Sequence, residues 1–536
     1  MISPLSTPCP INPAPRAPVL PFWARIETLW LLFVPLVALI FALLQALAPN
    51  DLWYHVRAGE LAVLAGKLPT TNMMSTGVPL DKPFYYQSWL SEIALYLTVT
   101  KFGLSGLQLL RAFVLLAAFV FSISSALRWT KHEDLASSSS ARATMLGCLW
   151  AFLLLSNNID LRPQTFSVIL CALWVWLLLD FWKNPRIGPG IALCAVSGLW
   201  ANTHGAFVLA PASIAVLSFA QLFFGRTRAF ALGVTAVAAS VVTLVNPHGI
   251  KLYIYLSSLS NDAISQKYIQ EWRSPGFDEW HSILFWVSPL ILAVSWRIAK
   301  PAKTCFPWLA PIALTWVMGA RDQRAMIWFA LFTAPLLSLL LAHIIPAPKP
   351  APVPRAAQLI NAVLLVFLCV SPLLFLPQVK VDLPWPDSFK SRFARTPQHI
   401  FSGDPDLLLE RTSATSAVEW WHKNPEQADA KVWTDMVCGS FMTWSTRPQL
   451  EGDKAVLPLC DPRIELFPES FWEDYVKLSS GPKGAGAKLL QEGYTQALVD
   501  IETQEGLVSE LKREKWTNVA HNGSTMLFIA PQPSLR

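Results

Sequence analysis

The sequence predicts a polytopic α-helical membrane protein of about 11 transmembrane helices, followed by a soluble α/β domain. Three observations carry this prediction. First, 53% of the 536 residues are hydrophobic and 15% are charged, with a mean hydropathy of +0.39, whereas an ordinary soluble domain carries about 25% charged residues. Second, 11 apolar runs are candidates to cross the ~30 Å of hydrocarbon, at 28–48, 105–127, 143–157, 164–182, 188–202, 206–224, 229–246, 282–297, 305–320, 325–345 and 356–377. Third, the net charge of +6 divides near residue 377 into +11 before it and −5 after it. A basic excess confined to the apolar part is a signal of membrane topology before it is one of nucleic-acid binding.

Residues 1–27 read as a Pro-rich cytoplasmic N-terminus without the basic region of a signal peptide, so the first apolar run is expected to stay as an anchor. With the N-terminus inside, the inside segments hold 14 bases against four acids: Arg16, Arg25, Arg128, Lys131, Arg142, Lys183, Arg186, Arg226, Arg228, Arg297, Lys300, Lys303, Lys349 and Arg355 against Glu27, Glu133, Asp134 and Asp180. That bias satisfies the positive-inside rule, and an odd number of spans puts the C-terminal part outside.

The transmembrane domain is therefore expected over 28–377, with a first periplasmic loop at 49–104. In that loop DLWYHVRAGELAVLAG and QSWLSEIALYLTVTKFG read as two amphipathic helices lying along the interface, with Trp53 and Trp89 at headgroup level. Glu60, Asp81 and Glu92 are expected on solvated faces. The run PAPKPAPVP at 346–354 reads as a stiff linker. In the periplasmic α/β domain, 378–536, AKVWTDM, KAVLPL, QALVDI and STMLFIA read as strands. ESFWEDYVKL and EGLVSELKREKW read as helices.

The eight cysteines form no CxxC and no zinc spacing. Those in apolar runs (Cys148, Cys171, Cys194, Cys369) read as small hydrophobes. Cys438 and Cys460 can pair in an oxidising compartment. Walker, GxSxG, HExxH and strand-associated GxGxxG motifs are lacking, so no cytoplasmic nucleotide site is legible.

The polar residues that membrane burial makes costly collect on the predicted outer side. Asp51 and His55, four apart, share one helix face. Together they can deprotonate a hydroxyl or hold a metal, while Asp51 reads equally well as the N-cap of its helix. In SNNIDLRPQ, Arg162 can clamp a phosphate and Asp160 can act as a second acid, or the two can pair with each other. His204 sits in a His-Gly turn. Lys251 and the Asn246-Pro247-His248-Gly249 turn can face an anion. Glu271 and Arg273 read as a local ion pair. Arg321 and Arg324, with Asp322 as the single acid of the cluster, leave positive charge for a phosphate or for lipid headgroups. His343, inside a span, reads as packed or bonded to a neighbour.

These residues lie in motifs that resemble the GT-C glycosyltransferase superfamily over about 28–345. The motifs are DLWYH at 51–55, then Arg57-Ala58-Gly59-Glu60, Leu68-Pro69, Ser75-Thr76-Gly77 and Trp89-Leu90-Ser91-Glu92. Arg162-Pro163-Gln164, Trp200 to Gly205, Asn246 to Gly249 and Glu271-Trp272 continue the pattern. The superfamily includes protein O-mannosyltransferases and aminoarabinose transferases. The resemblance implies a hexosyl- or pentosyltransferase that uses a polyprenyl-phosphate sugar and carries its catalytic acid in the first outer loop. Asp51 matches that acid and Asp160 resembles the acid of the second loop. The usual doublet of adjacent acids is missing, because Asn50 and Leu52 flank Asp51.

The expected activity is transfer of a sugar, with inversion, to a glycan, lipid or protein acceptor outside the bacterial inner membrane. Asp51 would be the general base with His55 and Asp160 assisting. Arg162, His204, Arg321, Arg324 and Lys251 would bind the phosphate, and Asp51, His55 and Asp160 are candidate ligands for a divalent metal. The alternative is a non-catalytic lipid-carrier-binding or envelope-assembly protein.

Overall fold

The computed structural model describes residues 20–347, 353–447 and 456–531. The proline-rich stretch at 1–19 with Arg16, and residues 348–352 of the proline run with Lys349, lie outside them.

In chain order the first helices are α1 (Ile26–Leu44), α2 (Leu52–Ala65), α3 (Trp89–His132), α4 (Ser137–Leu155), α5 (Pro163–Lys183), α6 (Ile187–Ala201) and α7 (Leu209–Gln221). They are followed by α8 (Arg226–Val242), α9 (Lys251–Ser260), α10 (Ala263–Tyr268), α11 (Trp280–Ala299), α12 (Leu309–Arg321), α13 (Met326–Ile344) and α14 (Arg355–Val370). All but α2, α9 and α10 fall on the predicted apolar runs. Among the described residues seven helical stretches are long and apolar enough to cross a membrane, and Ile187–Ala201 and Gly205–Gln221 are shorter apolar helices. The chain is a multi-pass membrane protein. Helix α13 is apolar on every side and is buried along nearly its whole length, which makes it the axis of the bundle. Helix α14 buries only Leu365 and lies at the periphery.

The second predicted surface helix of the first loop is not separate. It is the start of α3, which runs on across a kink at Gly103. Gly103 takes φ +64°, and a Cβ there would lie 2.2 Å from Asp404 Oδ2. Asp404 in turn accepts the Leu104 and Ser105 amides at 2.7 and 3.1 Å, capping the second half of α3. Glu60 and Glu92 also depart from the solvated faces expected of them. Glu60 pairs with Arg57 and Arg447, and Glu92 is buried against His55.

Beyond α14 come α15 (Pro377–Lys380), α16 (Asp387–Lys390), α17 (Thr415–Lys423), α18 (Met436–Ser445), α19 (Glu469–Ser479), α20 (Ala485–Gln491) and α21 (Glu505–Arg513). The strands β1 (Phe393–Ala394) and β2 (Leu409–Glu410) form a small pair. β3 (Lys431–Thr434), β4 (Tyr494–Asp500), β5 (Thr517–Asn522) and β6 (Thr525–Ile529) form a sheet in the order β3-β4-β6-β5. β3 runs parallel to β4, and the other pairs are antiparallel. Three predicted strands are present. KAVLPL is not a strand over its described residues 456–459, and β5 was not anticipated. Cys438 and Cys460 are buried free thiols rather than a disulfide; their sulfurs face the Thr412 and Thr434 carbonyls.

The sheet region is packed onto the loops of the bundle. Trp53 of α2 sits between Phe401 and Phe441, with ring centroids 5.8 and 5.2 Å away. Val78 and Phe84 of the first loop join the apolar core of the sheet region. The fully buried Arg463 binds Asp461 through two nitrogens and also donates to Asn72 and Tyr86 of the first loop.

Candidate functional site

The N-terminal ends of α2, α5 and α13 converge on a polar cavity of about 230 Å³. Local sequence aims each end. Helix α5 begins at Arg162-Pro163, with proline at the first helical position, where its missing N–H costs nothing. The Thr165 hydroxyl accepts the Arg162 amide at 3.1 Å and donates to the Asp160 carbonyl at 2.7 Å, which fixes the turn. Ahead of α13, Asp322 accepts the Arg324 amide at 3.0 Å.

Helix α2 differs from expectation. Asp51 occupies the N-cap position but makes no capping bond. Ser440 of α18 accepts the Tyr54 amide at 3.3 Å and donates to the Asn50 carbonyl, doing the work of the cap. The Asp51 carboxylate is thereby released toward the cavity.

There two carboxylates and two guanidiniums interleave. Arg162 lies 3.5 Å from Asp51 and 2.8 Å from Glu271. Arg324 lies 3.6 Å from Asp51 and 3.3 Å from Glu271. Arg162 also donates to Asn158. Burial raises the Asp51 pKa above the ordinary carboxylate range, and the two arginines only partly oppose it. Burial acts the same way on Glu271, but there Arg162 and Arg324 prevail and its pKa is lowered. Glu271 is thus tied into the cluster and not to Arg273, which donates to the Gln266 and Lys267 carbonyls.

His55 lines the cavity with its Nδ1 2.8 Å from Glu92 Oε1; burial, ahead of the opposing pull of Glu92, lowers its pKa. His204 Nδ1 lies 3.2 Å from the Ala206 amide and 3.0 Å from Ser167 Oγ. A backbone N–H can only donate, so Nδ1 is the acceptor and the neutral ring carries its proton on Nε2. Burial, then Arg324 and Arg162, hold His204 well below the ordinary histidine range.

The other expected site residues stand apart. Asp160 accepts the Asn50 amide at 2.9 Å and does not line the cavity, so it neither joins Asp51 nor pairs with Arg162. Arg321 is exposed and donates to the Ser260 carbonyl at 2.6 Å. Lys251 is exposed at the start of α9, outside the cavity wall. The turn at Asn246 is closed by its own side chain, whose Oδ1 accepts the His248 amide at 2.8 Å. His343 faces the Leu339 carbonyl of its own helix.

Asp51, His55 and Asp160 are not gathered at one point, since Asp160 stands outside the cavity that the other two line. Asp51 and Glu271 are both held by arginines. Among the described residues no group of three His, Cys, Asp or Glu side chains is placed to share a metal ion.

Sequence reasoning missed the far wall: Met436, Val437, Pro462, Ile464 and Glu465. Glu465 accepts the Tyr255 hydroxyl at 2.9 Å. Nothing in the sequence pairs residue 465 with 51. Glu92 did leave a signal, since Glu92, Leu95 and Val99 lie on one helix face that packs inward.

Gln87, Gln164, His204, Leu259, Trp272 and Arg324 also line a second, mainly apolar cavity of about 400 Å³, reaching to Val208, Leu256, Met318 and Trp328. A charged chamber thus adjoins an apolar groove along a collar of these six residues.

No protein family and no curated protein matches the chain by sequence. Its fold is nonetheless similar to solved structures. ArnT from Cupriavidus metallidurans in the apo state matches with TM-score 0.50 at 13% identity, over 94% of this chain and 99% of that one. Oligosaccharyltransferase AglB from Archaeoglobus fulgidus, in complex with an inhibitory peptide and a dolichol-phosphate, matches with TM-score 0.50 at 12% identity, over 95% and 75%. Arabinofuranosyltransferase AftD from Mycobacteria matches with TM-score 0.52 at 13% identity, over 94% and 42%. The chain is a membrane protein with a GT-C-like fold.

Proposed function

We propose that the protein transfers a sugar from a polyprenyl-phosphate donor to a hydroxyl acceptor at the outer face of a bacterial inner membrane. The observation that carries this reading is the position of Arg324, which lines both the chamber holding Asp51 and the apolar groove. A polyprenyl phosphate needs this junction: the tail in the groove, the phosphate at a cation, the sugar facing a base. The N-termini of α5 and α13 add positive potential at this junction, and that of α2 adds it in the chamber. That AglB was solved with a dolichol-phosphate agrees with it.

In this reading Asp51 takes the proton of the acceptor hydroxyl, whose oxygen bonds to the anomeric carbon. The bond from that carbon to the phosphate oxygen breaks, and its electron pair leaves with the phosphate. Arg162 and Arg324 stabilise the departing charge, and His204 offers its Nε2 proton. Attack opposite the leaving group inverts the anomeric centre. Asp160, Arg321 and Lys251 have no part in the step. Residues 28–377 form the catalytic membrane domain, and 378–536 the periplasmic domain that closes the chamber.

The pairing of Asp51 with two arginines favours a second reading, a carrier-binding protein without chemistry. Asp51→Asn separates the two. Transfer from a polyprenyl-phosphate sugar falls by ~10²–10⁴ with folding intact if Asp51 is the base. Full turnover in the variant would overturn that role.

A further inference from the structure

Besides Arg324 Nε, which is ion-paired with Glu271 at 3.3 Å, the collar between chamber and groove holds three polar atoms with no partner. Gln164 Oε1, Gln87 Oε1 and Trp272 Nε1 are buried and unbonded, and all three residues line both cavities. Gln164 is 3% exposed, and its Nε2 donates to the Arg324 carbonyl at 3.4 Å. A carbonyl can only accept, so the amide is oriented and its oxygen is the end left over. Buried unsatisfied groups are costly, and a cluster of them beside a cavity is the signature of a ligand that satisfies them.

Resting on the carrier-binding reading above, we propose that Gln87, Gln164 and Trp272 form the sugar site and select a neutral, hydroxyl-rich sugar. Sugar hydroxyls donate to the two amide oxygens, and a hydroxyl oxygen accepts the indole N–H. Charge argues for neutrality. None of the six residues shared by the two cavities is an acid, and the carboxylates beyond them are engaged: Asp322 of the groove by the Arg324 amide, Asp51 and Glu271 of the chamber by Arg162 and Arg324, and Glu465 by the Tyr255 hydroxyl. A sugar carboxylate would face two amide oxygens that can only accept. Arg324, the one shared cation, is already directed at the phosphate.

The test is binding to the purified full chain in nanodiscs. The probes are undecaprenyl phosphate and the same carrier bearing glucose or an aminopentose. The glucose-bearing carrier is expected to bind about tenfold more tightly than the bare one, and the aminopentose carrier to gain less. Gln164→Leu should reduce the glucose preference to about twofold or less, and Trp272→Phe, which keeps the ring, should reduce it about threefold. The preference is read within each variant as the ratio of its affinities for the glucose-bearing and the bare carrier, and a melting transition like the parent's verifies that both variants fold. Equal parental affinity for the three carriers overturns the sugar site and leaves carrier binding standing. So does a full preference retained in both variants. Failure of the parent to bind any carrier overturns both readings.

Discussion

Ser440 accepts the backbone amide of Tyr54 at 3.3 Å across 386 residues of sequence. The same hydroxyl donates to the Asn50 carbonyl, so the start of α2 is capped by a helix of the sheet region. Asp51, which by position should be the cap, faces Arg162 and Arg324 instead.

Ser440→Ala removes that cap. Loss of an N-cap costs ~1 kcal/mol, and Asp51 is the nearest side chain able to replace it. Turnover is expected to fall more than thermal stability does, with Ser440→Thr restoring much of both. A variant that loses stability and keeps its turnover number would show that Asp51 does not depend on Ser440.

Glu271 neutralises the arginines that the phosphate needs. Glu271→Gln keeps an oxygen for Arg162 to bind and deletes the charge, so affinity for bare undecaprenyl phosphate should rise by up to about tenfold. Arg162→Ala should do the reverse and destabilise the fold, because breaking a buried pair costs ~3–5 kcal/mol. Carrier titrations and melting curves of the two variants check this. Weaker carrier binding in Glu271→Gln would place the phosphate elsewhere.

Burial raises the Asp51 pKa, so the base is protonated over a wider acid range than a free aspartate. A base works deprotonated, so transfer should rise with pH through a limb displaced upward from the ordinary carboxylate range. Arg324 lowers that pKa, and Arg324→Gln should move the limb further up while depressing the plateau. A pH–rate profile of the two proteins decides. A limb unmoved by the substitution would argue that another group sets it.

Gly103→Ala tests the kink in α3. Its left-handed φ and the Asp404 carboxylate at the Cβ position both oppose a side chain. The strain is worth ~1–3 kcal/mol, and displacing Asp404 also uncaps Leu104 and Ser105. A lowered melting temperature is expected. An unchanged one would mean that α3 can straighten there.

Much of the membrane part was legible because hydropathy is local. Each apolar run either satisfies its backbone as a helix or stays out of the bilayer, so the eleven runs and the helices match. That Asp51, His55, Arg162, His204 and Arg324 would stand together around one chamber was legible for a similar reason: ionisable groups at span ends are costly and gather where they can be satisfied. The same reasoning also drew in Asp160, Arg321 and Lys251, because it gives the end of a span on which a residue lies but not its direction. Direction was settled by single long-range bonds, such as Asn50 to Asp160 and Arg321 to Ser260.

The amino-acid sequence by itself determined that this chain crosses the membrane many times and gathers its costly polar residues at one set of helix ends. Only the tertiary structure decided that Glu271 joins Arg162, that Glu465 closes the chamber, and that Ser440 frees Asp51 to face it. Helix formation and membrane insertion depend on neighbours within about one turn or one span. The meeting of residues hundreds of positions apart depends on how the sheet region packs on α2 and the first loop, and no local pattern encodes that.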